Sequence, residues 1–106
     1  MDNFSKVGHK DDFSEAKPKK FRINEKNILV CLYENKFYAL ENDCPHQGEP
    51  LDKGVVKDFC VSCPAHNWSF DLRTGDSPVI PDAFIYTFDV SIDEDGFVWV
   101  SHKKNL

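Results

Sequence analysis

A chain of 106 residues with nine Phe, three Tyr and two Trp has enough large apolar surface for one compact domain over 1–106, and too little length for a second. Its 18 acidic and 13 basic residues leave a net charge of −5, which argues against a nucleic-acid partner because phosphate binding calls for clustered Lys and Arg. No stretch approaches the roughly 20 apolar residues of a membrane helix, and residues 1–20 are polar, without a signal-like apolar run or paired arginines. These features predict a cytoplasmic protein with no membrane association, whose acidity suits solubility and docking against a basic surface.

Along the chain, Val7 fits an opening strand and 11–16 a single helical turn before Pro18. Short β segments at 21–23, 28–33 and 37–40 then form a meander, with turns at 24–27 and 34–36. Residues 42–50 are loop chemistry, with two prolines and Gly48. A tight hairpin is predicted from 55–56 to 59–61 across Lys57-Asp58. A strand at 68–72 stops at Arg73-Thr74-Gly75-Asp76, and a proline-containing loop covers 77–81. The last hairpin joins 84–90 to 97–100 across Asp93-Glu94-Asp95-Gly96, with Phe84, Tyr86 and Phe88 alternating as its apolar face. The fold class is therefore all-β and antiparallel, with a loop-rich stretch inserted between a meander and a final hairpin.

That stretch holds the chemistry. Cys44-Pro45-His46 and Cys63-Pro64-Ala65-His66 each offer one thiolate and one imidazole, a set of two sulfur and two nitrogen ligands. Such a set suits a [2Fe–2S] cluster in which two His replace two Cys on one iron. It also suits a Cys2His2 zinc ion, although zinc modules more often pair cysteines in one knuckle and histidines in the other. Soft thiolates hold iron against bridging sulfide, whereas neutral imidazoles add no charge. The less negative cluster accepts an electron more readily, so potentials rise from about −400 mV to about −150 to +300 mV. Pro45 and Pro64 stiffen the chain after each cysteine, and Gly48 permits a tight return. In a reduced compartment disulfides are not expected. Cys31, inside an apolar run, reads as an inert buried thiol. Cys60 forms a formal C-x-x-C with Cys63, but its strand-like neighbours make it a packed thiol rather than a redox or zinc pair. His9 and His102 lie far from the motif and are assigned no role.

The stretch Cys44-Pro-His-Gln-Gly-Glu-Pro-Leu51, then Gly54, Cys63-Pro-Ala-His66 and Trp68-Ser-Phe-Asp-Leu-Arg-Thr-Gly75 resembles the Rieske family. The resemblance implies an antiparallel β sandwich or barrel with an inserted two-loop cluster-binding part at about 42–76. It implies one [2Fe–2S] cluster, with Cys44 and Cys63 on the inner iron and His46 and His66 on the outer, solvent-facing one. The loop around Pro78 and Pro81 resembles the family's cover over the cluster. Asn67 departs from the usual glycine after the second histidine, and Asn tolerates positive φ. His66-Asn67-Trp68 is also similar to the small Rieske subunits of assimilatory nitrite reductases.

Respiratory members of the family carry an additional cysteine in each loop, joined as a disulfide. The matching positions here are Glu49 and Ala65. Their serine and tyrosine hydroxyl donors correspond to Trp68 and Phe70, which supply no hydroxyl and read instead as supports beneath the loops. Ser69 reads as a solvent-facing strand residue. The resemblance therefore implies a Rieske-type ferredoxin, not itself an enzyme, that takes electrons from a flavin reductase and delivers them to a terminal oxygenase. Docking would be transient, at the His46/His66 edge ringed by Gln47, Glu49, Pro50, Ala65 and Asn67. The alternative is the small subunit of an NAD(P)H-dependent nitrite reductase; a non-redox zinc-binding interaction module is a third reading. A complete oxygenase is too large for this length. With fewer donors to stabilise the reduced cluster, an anaerobic redox titration should place the midpoint in the lower part of the family range; a midpoint well above about +100 mV would contradict this.

Overall fold

The computed structural model describes residues 3–45, 48–64 and 68–105. Its first strand, β1 (Phe4–His9), runs into a 3-10 turn at Lys10–Asp12, earlier and shorter than the turn predicted at 11–16. His9 explains the shift. Its Nδ1 accepts from the Asp11 amide at 3.1 Å, while the Asp12 carboxylate accepts from the His9 amide at 2.9 Å, a reciprocal cap that closes the turn. The ring's Nε2 meets the Asp95 carbonyl at 2.9 Å. His102 likewise joins strands, its Nε2 lying 2.7 Å from Ser5 Oγ. Both histidines thus have structural partners that the sequence did not reveal.

The predicted meander is present as β2 (Lys19–Ile23), β3 (Lys26–Tyr33) and β4 (Lys36–Glu41). Its reversals need only two residues each, because Asn24 and Glu25 sit at φ 47° and 65° and Glu34 and Asn35 at 48° and 67°. Paired positive φ gives a turn whose twist matches the strands, so the strands extend to meet it. A second small sheet follows, built from β5 (Val56–Lys57), β6 (Cys60–Ser62) and β7 (Ser69–Asp71). The turn between β5 and β6 falls at Asp58-Phe59, one residue later than expected, again with positive φ at both. That register pairs Val56 with Val61, which puts two buried valines opposite each other.

The chain closes with β8 (Thr87–Ile92) and β9 (Phe97–Asn105). Among the described residues the large sheet is antiparallel, in the order β1-β9-β8-β4-β3-β2. The small sheet and its loops are inserted between β4 and β8 of this all-β, barrel-like architecture. β9 runs past residue 100, because pairing with β1 and β8 carries its polar end: Phe4 faces Ser101 and Thr87 faces Asn105. Among the described residues no helix is long and apolar enough to cross a membrane.

β3 connects two apolar clusters. Ile28 and Val30 join Val98, Val100 and Phe88 on one face, whereas Leu29 and Cys31 join Leu40, Leu51 and Phe70 on the other. Alternation with period two, with both faces buried, is why 28–32 reads as an unbroken apolar run.

The alternation predicted at 84–88 is different in the structure. Strand β8 begins only at Thr87. Before it, the Ile85 amide donates to the Gly75 carbonyl at 2.9 Å, and Phe84 bridges Asp76. This pairing turns Ile85 inward, to 2 % exposure, and leaves Phe84 49 % exposed. Ile85→Ala should therefore cost about 2–4 kcal/mol, and Phe84→Ala less than about 0.5 kcal/mol, since truncation at the surface loses little burial. Equal losses in urea unfolding would contradict this assignment.

Candidate metal centre

The two cysteines of the motif occupy equivalent places. The Cys44 amide donates to the Glu49 carbonyl at 2.9 Å, and the Cys63 amide to the Trp68 carbonyl at 2.6 Å. Each thiol therefore stands at the neck of a loop closed to the residue five positions on. Both side chains are buried in one apolar cluster with Leu29, Leu51 and Phe70, at 1 % and 0 % exposure. The residues that follow them, Pro45 and Pro64, are exposed. Each loop thus turns from core to surface at its Cys-Pro step, where the fixed φ of proline favours a sharp exit. His46 and His66 lie outside the described residues, as do Gln47, Ala65 and Asn67.

The first loop is braced from within. Asn42, 4 % exposed, donates through Nδ2 to Asp52 Oδ1 at 2.8 Å and accepts from the Asp52 amide at 2.7 Å. Its carbonyl also accepts from the Leu51 amide at 2.9 Å. A buried amide satisfied this fully locks both ends of the loop together. Sequence reading missed Asn42 and Asp52, because their pairing depends on the loop doubling back through a 3-10 turn at Leu51–Lys53. The only linear hint was an asparagine directly ahead of the motif.

The second loop is the tip of the β6–β7 hairpin, where Ser62 pairs with Ser69 and Val61 with Phe70. Phe70 is fully buried beneath it, and Trp68 packs half-buried against the same cluster, so both are the supports the sequence suggested. Ser69 is half-buried rather than solvent-facing. Gly54 brings the two loops together: a Cβ there would overlap the Ser62 carbonyl oxygen. Backbone therefore lies on backbone between the exit of the first loop and the residue preceding Cys63.

Beyond β7, the Arg73 guanidinium holds the Asp71 carboxylate through Nη2 at 2.8 Å and Nε at 3.1 Å, and lies 4.2 Å over the Phe59 ring. Arg73 keeps the Asp71 carboxyl below its ordinary range. The contribution of this pair is present at neutral pH and is lost as pH falls through that lowered value. Gly75, at φ +83°, passes where a Cβ would overlap the Ile85 carbonyl, and so ties the turn to the start of β8.

The remaining thiols are separate. Cys31 is fully buried, and burial first, then Glu15, pushes its pKa up to about 12, so it stays protonated and inert at neutral pH. Cys60 is half-buried, and burial followed by Asp71 raises its pKa. Burial alternates along 60–63, with Cys60 and Ser62 half-buried and Val61 and Cys63 buried. Cys60 and Cys63 therefore belong to opposite faces, and neither is in a disulfide. This argues against a C-x-x-C pair.

The arrangement fits a group gripped by sulfur on its inner side. Two unoxidised, buried thiols stand at matched loop necks, and no group of three or more His, Cys, Asp or Glu side chains converges among the described residues to suggest another centre.

Comparisons with known proteins agree with this geometry. The sequence model of the Rieske [2Fe-2S] domain matches residues 3–87. Apoptosis-inducing factor 3 of Mus musculus is 31 % identical over 101 residues, which are 94 % of this chain but 17 % of that protein, so the chain spans about a sixth of that relative. The ferredoxin component of biphenyl 2,3-dioxygenase from Rhodococcus jostii is 28 % identical over 86 % of each chain. Among solved structures, a complex of reduced oxygenase and oxidized ferredoxin in carbazole 1,9a-dioxygenase contains a chain that superposes with a TM-score of 0.90 at 26 % identity, covering 100 % of this chain and 99 % of that one.

Gly54→Ala should push the loops apart, costing about 1–3 kcal/mol as an overpacking change and accelerating loss of visible absorbance on heating. Gly48→Ala, at φ +71° where an added Cβ meets nothing within 4 Å among the described residues beyond its chain neighbours, should cost about 1 kcal/mol from backbone strain alone and leave the thermal bleaching rate near wild type. Identical bleaching in both variants would contradict the back-to-back contact.

Proposed function

The chain belongs to the Rieske [2Fe-2S] domain family, and from that premise we propose that it is a ferredoxin-type carrier passing single electrons from a flavin reductase to a terminal oxygenase. Carriers of this kind hold one [2Fe–2S] cluster and are not themselves enzymes. The observation that supports the role here is the pair of buried thiols at matched loop necks, in a chain that aligns over 86 % of its length with a dioxygenase ferredoxin component. Cys44 and Cys63 would bind from the core, and His46 and His66, beyond the exposed prolines, would complete the set. When bound, the cluster supplies reversible one-electron chemistry in the family's potential range.

The chain's own residues provide the rest. Leu29, Leu51 and Phe70 exclude water from the sulfur side, and the Asn42–Asp52 pair and Gly54 hold the loops still, which keeps reorganisation small when charge changes. The oxygenase branch is preferred to the nitrite reductase branch because relatives that match along most of both chains at 28–30 % identity are ferredoxin components of dioxygenase systems, whereas nitrite reductase small subunits match along most of both chains at only 14–18 %. The carbazole dioxygenase ferredoxin forms a complex with its oxygenase, and an acceptor of that class fits a small transient interface.

The test is metal and sulfide analysis with an anaerobic reductive titration. Wild type should take up one electron per chain. His46→Ala and His66→Ala should each lose the visible spectrum and, because cluster binding is coupled to folding, unfold at lower temperature. A histidine variant with full colour would overturn the ligand assignment. A colourless wild type holding stoichiometric zinc would overturn the carrier role.

A further inference from the structure

The net negative charge of this protein belongs to two segments of the chain. Segments 41–55 and 75–86 contain six acidic residues, Glu41, Asp43, Glu49, Asp52, Asp76 and Asp82, against the single Lys53, while the remainder of the chain has 12 acidic and 12 basic residues. The whole excess of −5 therefore belongs to the two segments that flank the cysteine loops. Asp76 and Asp82 are exposed and Glu49 is half-buried; Asp82 lines the groove beside the cysteine loops, whereas Asp43 shares a separate recess with Lys26 and Lys104, and Lys104 Nζ lies 4.4 Å from the Tyr86 ring.

This groove is apolar, with a volume of about 490 Å³, and its walls include Pro45, Trp68, Ile80, Pro81, Phe84 and Tyr86. Pro45 follows Cys44 directly, and the Trp68 carbonyl accepts from the Cys63 amide; the groove thus borders both cysteine loops. Its floor is fixed, because the Glu41 carboxylate accepts from the Tyr86 amide at 2.8 Å and the Tyr86 carbonyl accepts from the Glu41 amide at 2.9 Å. Phe84 stands on its rim, edge-on to Tyr86 with centroids 5.3 Å apart. Ile85 fills the core in its place, so folding does not account for a half-exposed phenylalanine here.

We propose that this groove is the docking site for a basic redox protein, which seats one large apolar side chain against Phe84 and places Lys or Arg residues over Asp82, Asp76 and Glu49. The proposal rests on the electron-carrier reading and specifies how that carrier is recognised. The acids steer the encounter and set its orientation. The groove supplies the desolvated anchor that holds the complex while the electron passes. The contact face therefore extends from the loop tips along the flank formed by residues 80–86.

The test uses the cluster-loaded protein and horse cytochrome c, a basic haem protein, as probe. Carbodiimide cross-linking joins carboxylates to the probe's lysines, and peptide mapping locates them. Cross-links should fall on Glu49, Asp76 and Asp82. Reduction of cytochrome c should slow about threefold or more at low ionic strength in E49Q/D82N and in F84A. Salt well above physiological should erase the first effect by screening and leave the second. Controls at the other end of β8, I92A and E94Q, should match wild type. Cross-links confined to Asp11, Asp12 or 93–95, or an F84A rate equal to wild type, would overturn the proposal and leave the carrier reading intact. A loaded protein that cross-links at Glu49, Asp76 and Asp82 yet passes no electron would support the docking face and overturn the carrier reading.

Discussion

Two backbone hydrogen bonds organise the metal end: the amide of Cys44 to the carbonyl of Glu49, and the amide of Cys63 to that of Trp68. They fix each thiol where its loop leaves the core. The bonds hold because the necks are themselves anchored, one through Asn42 and Asp52, the other through the β6–β7 hairpin. Gly54 then lets the two supports touch. A single side-chain carbon at that contact would separate them, which is why a glycine that offers no ligand belongs to the site.

The loops stand on a core that the rest of the chain builds in two layers. β3 contributes to both, with Leu29 and Cys31 beneath the thiols and Ile28 and Val30 on the opposite face. Anchoring a redox centre on a strand buried on both sides restricts motion where precision matters. The apolar surround of the cysteines serves chemistry too, since hydrophobicity and hydrogen bonding around sulfur tune potential.

The acidic segments perform two tasks at once. Negative charge near a centre that gains an electron opposes reduction, in the same direction as the missing hydroxyl donors at Trp68 and Phe70. On the proposed docking face it would also select partners with basic surfaces. There Phe84, on the wall of the groove, would add an apolar contact, and charge with a local hydrophobic anchor is a combination suited to an encounter that must be fast and specific but brief.

Much was legible in the linear sequence. The paired Cys-Pro-x-His and Cys-Pro-His patterns narrowed the chemistry to a mixed thiolate and imidazole set, the resemblance carried by residues 44–75 chose the [2Fe–2S] cluster over zinc, and the apolar alternation of β2 to β4 named the fold class. The thiol of Cys31 also read correctly, since an uninterrupted apolar run has no exposed face. Local turn geometry was less legible: the reversal at Asp58-Phe59 is set by the pairing of Val56 with Val61 across the sheet, and the cap at His9 by a ring that also reaches Asp95. The Asn42–Asp52 brace, the contact of Gly54 with Ser62, and the exchange of Phe84 for Ile85 in the core were invisible, because each depends on segments that meet only when the loops fold back. Periodicity and ligand spacing are local properties, and a sequence determines them directly. Which of two adjacent apolar residues faces inward at 84 and 85 depended on a hydrogen bond to Gly75, and that partner exists only in the tertiary structure.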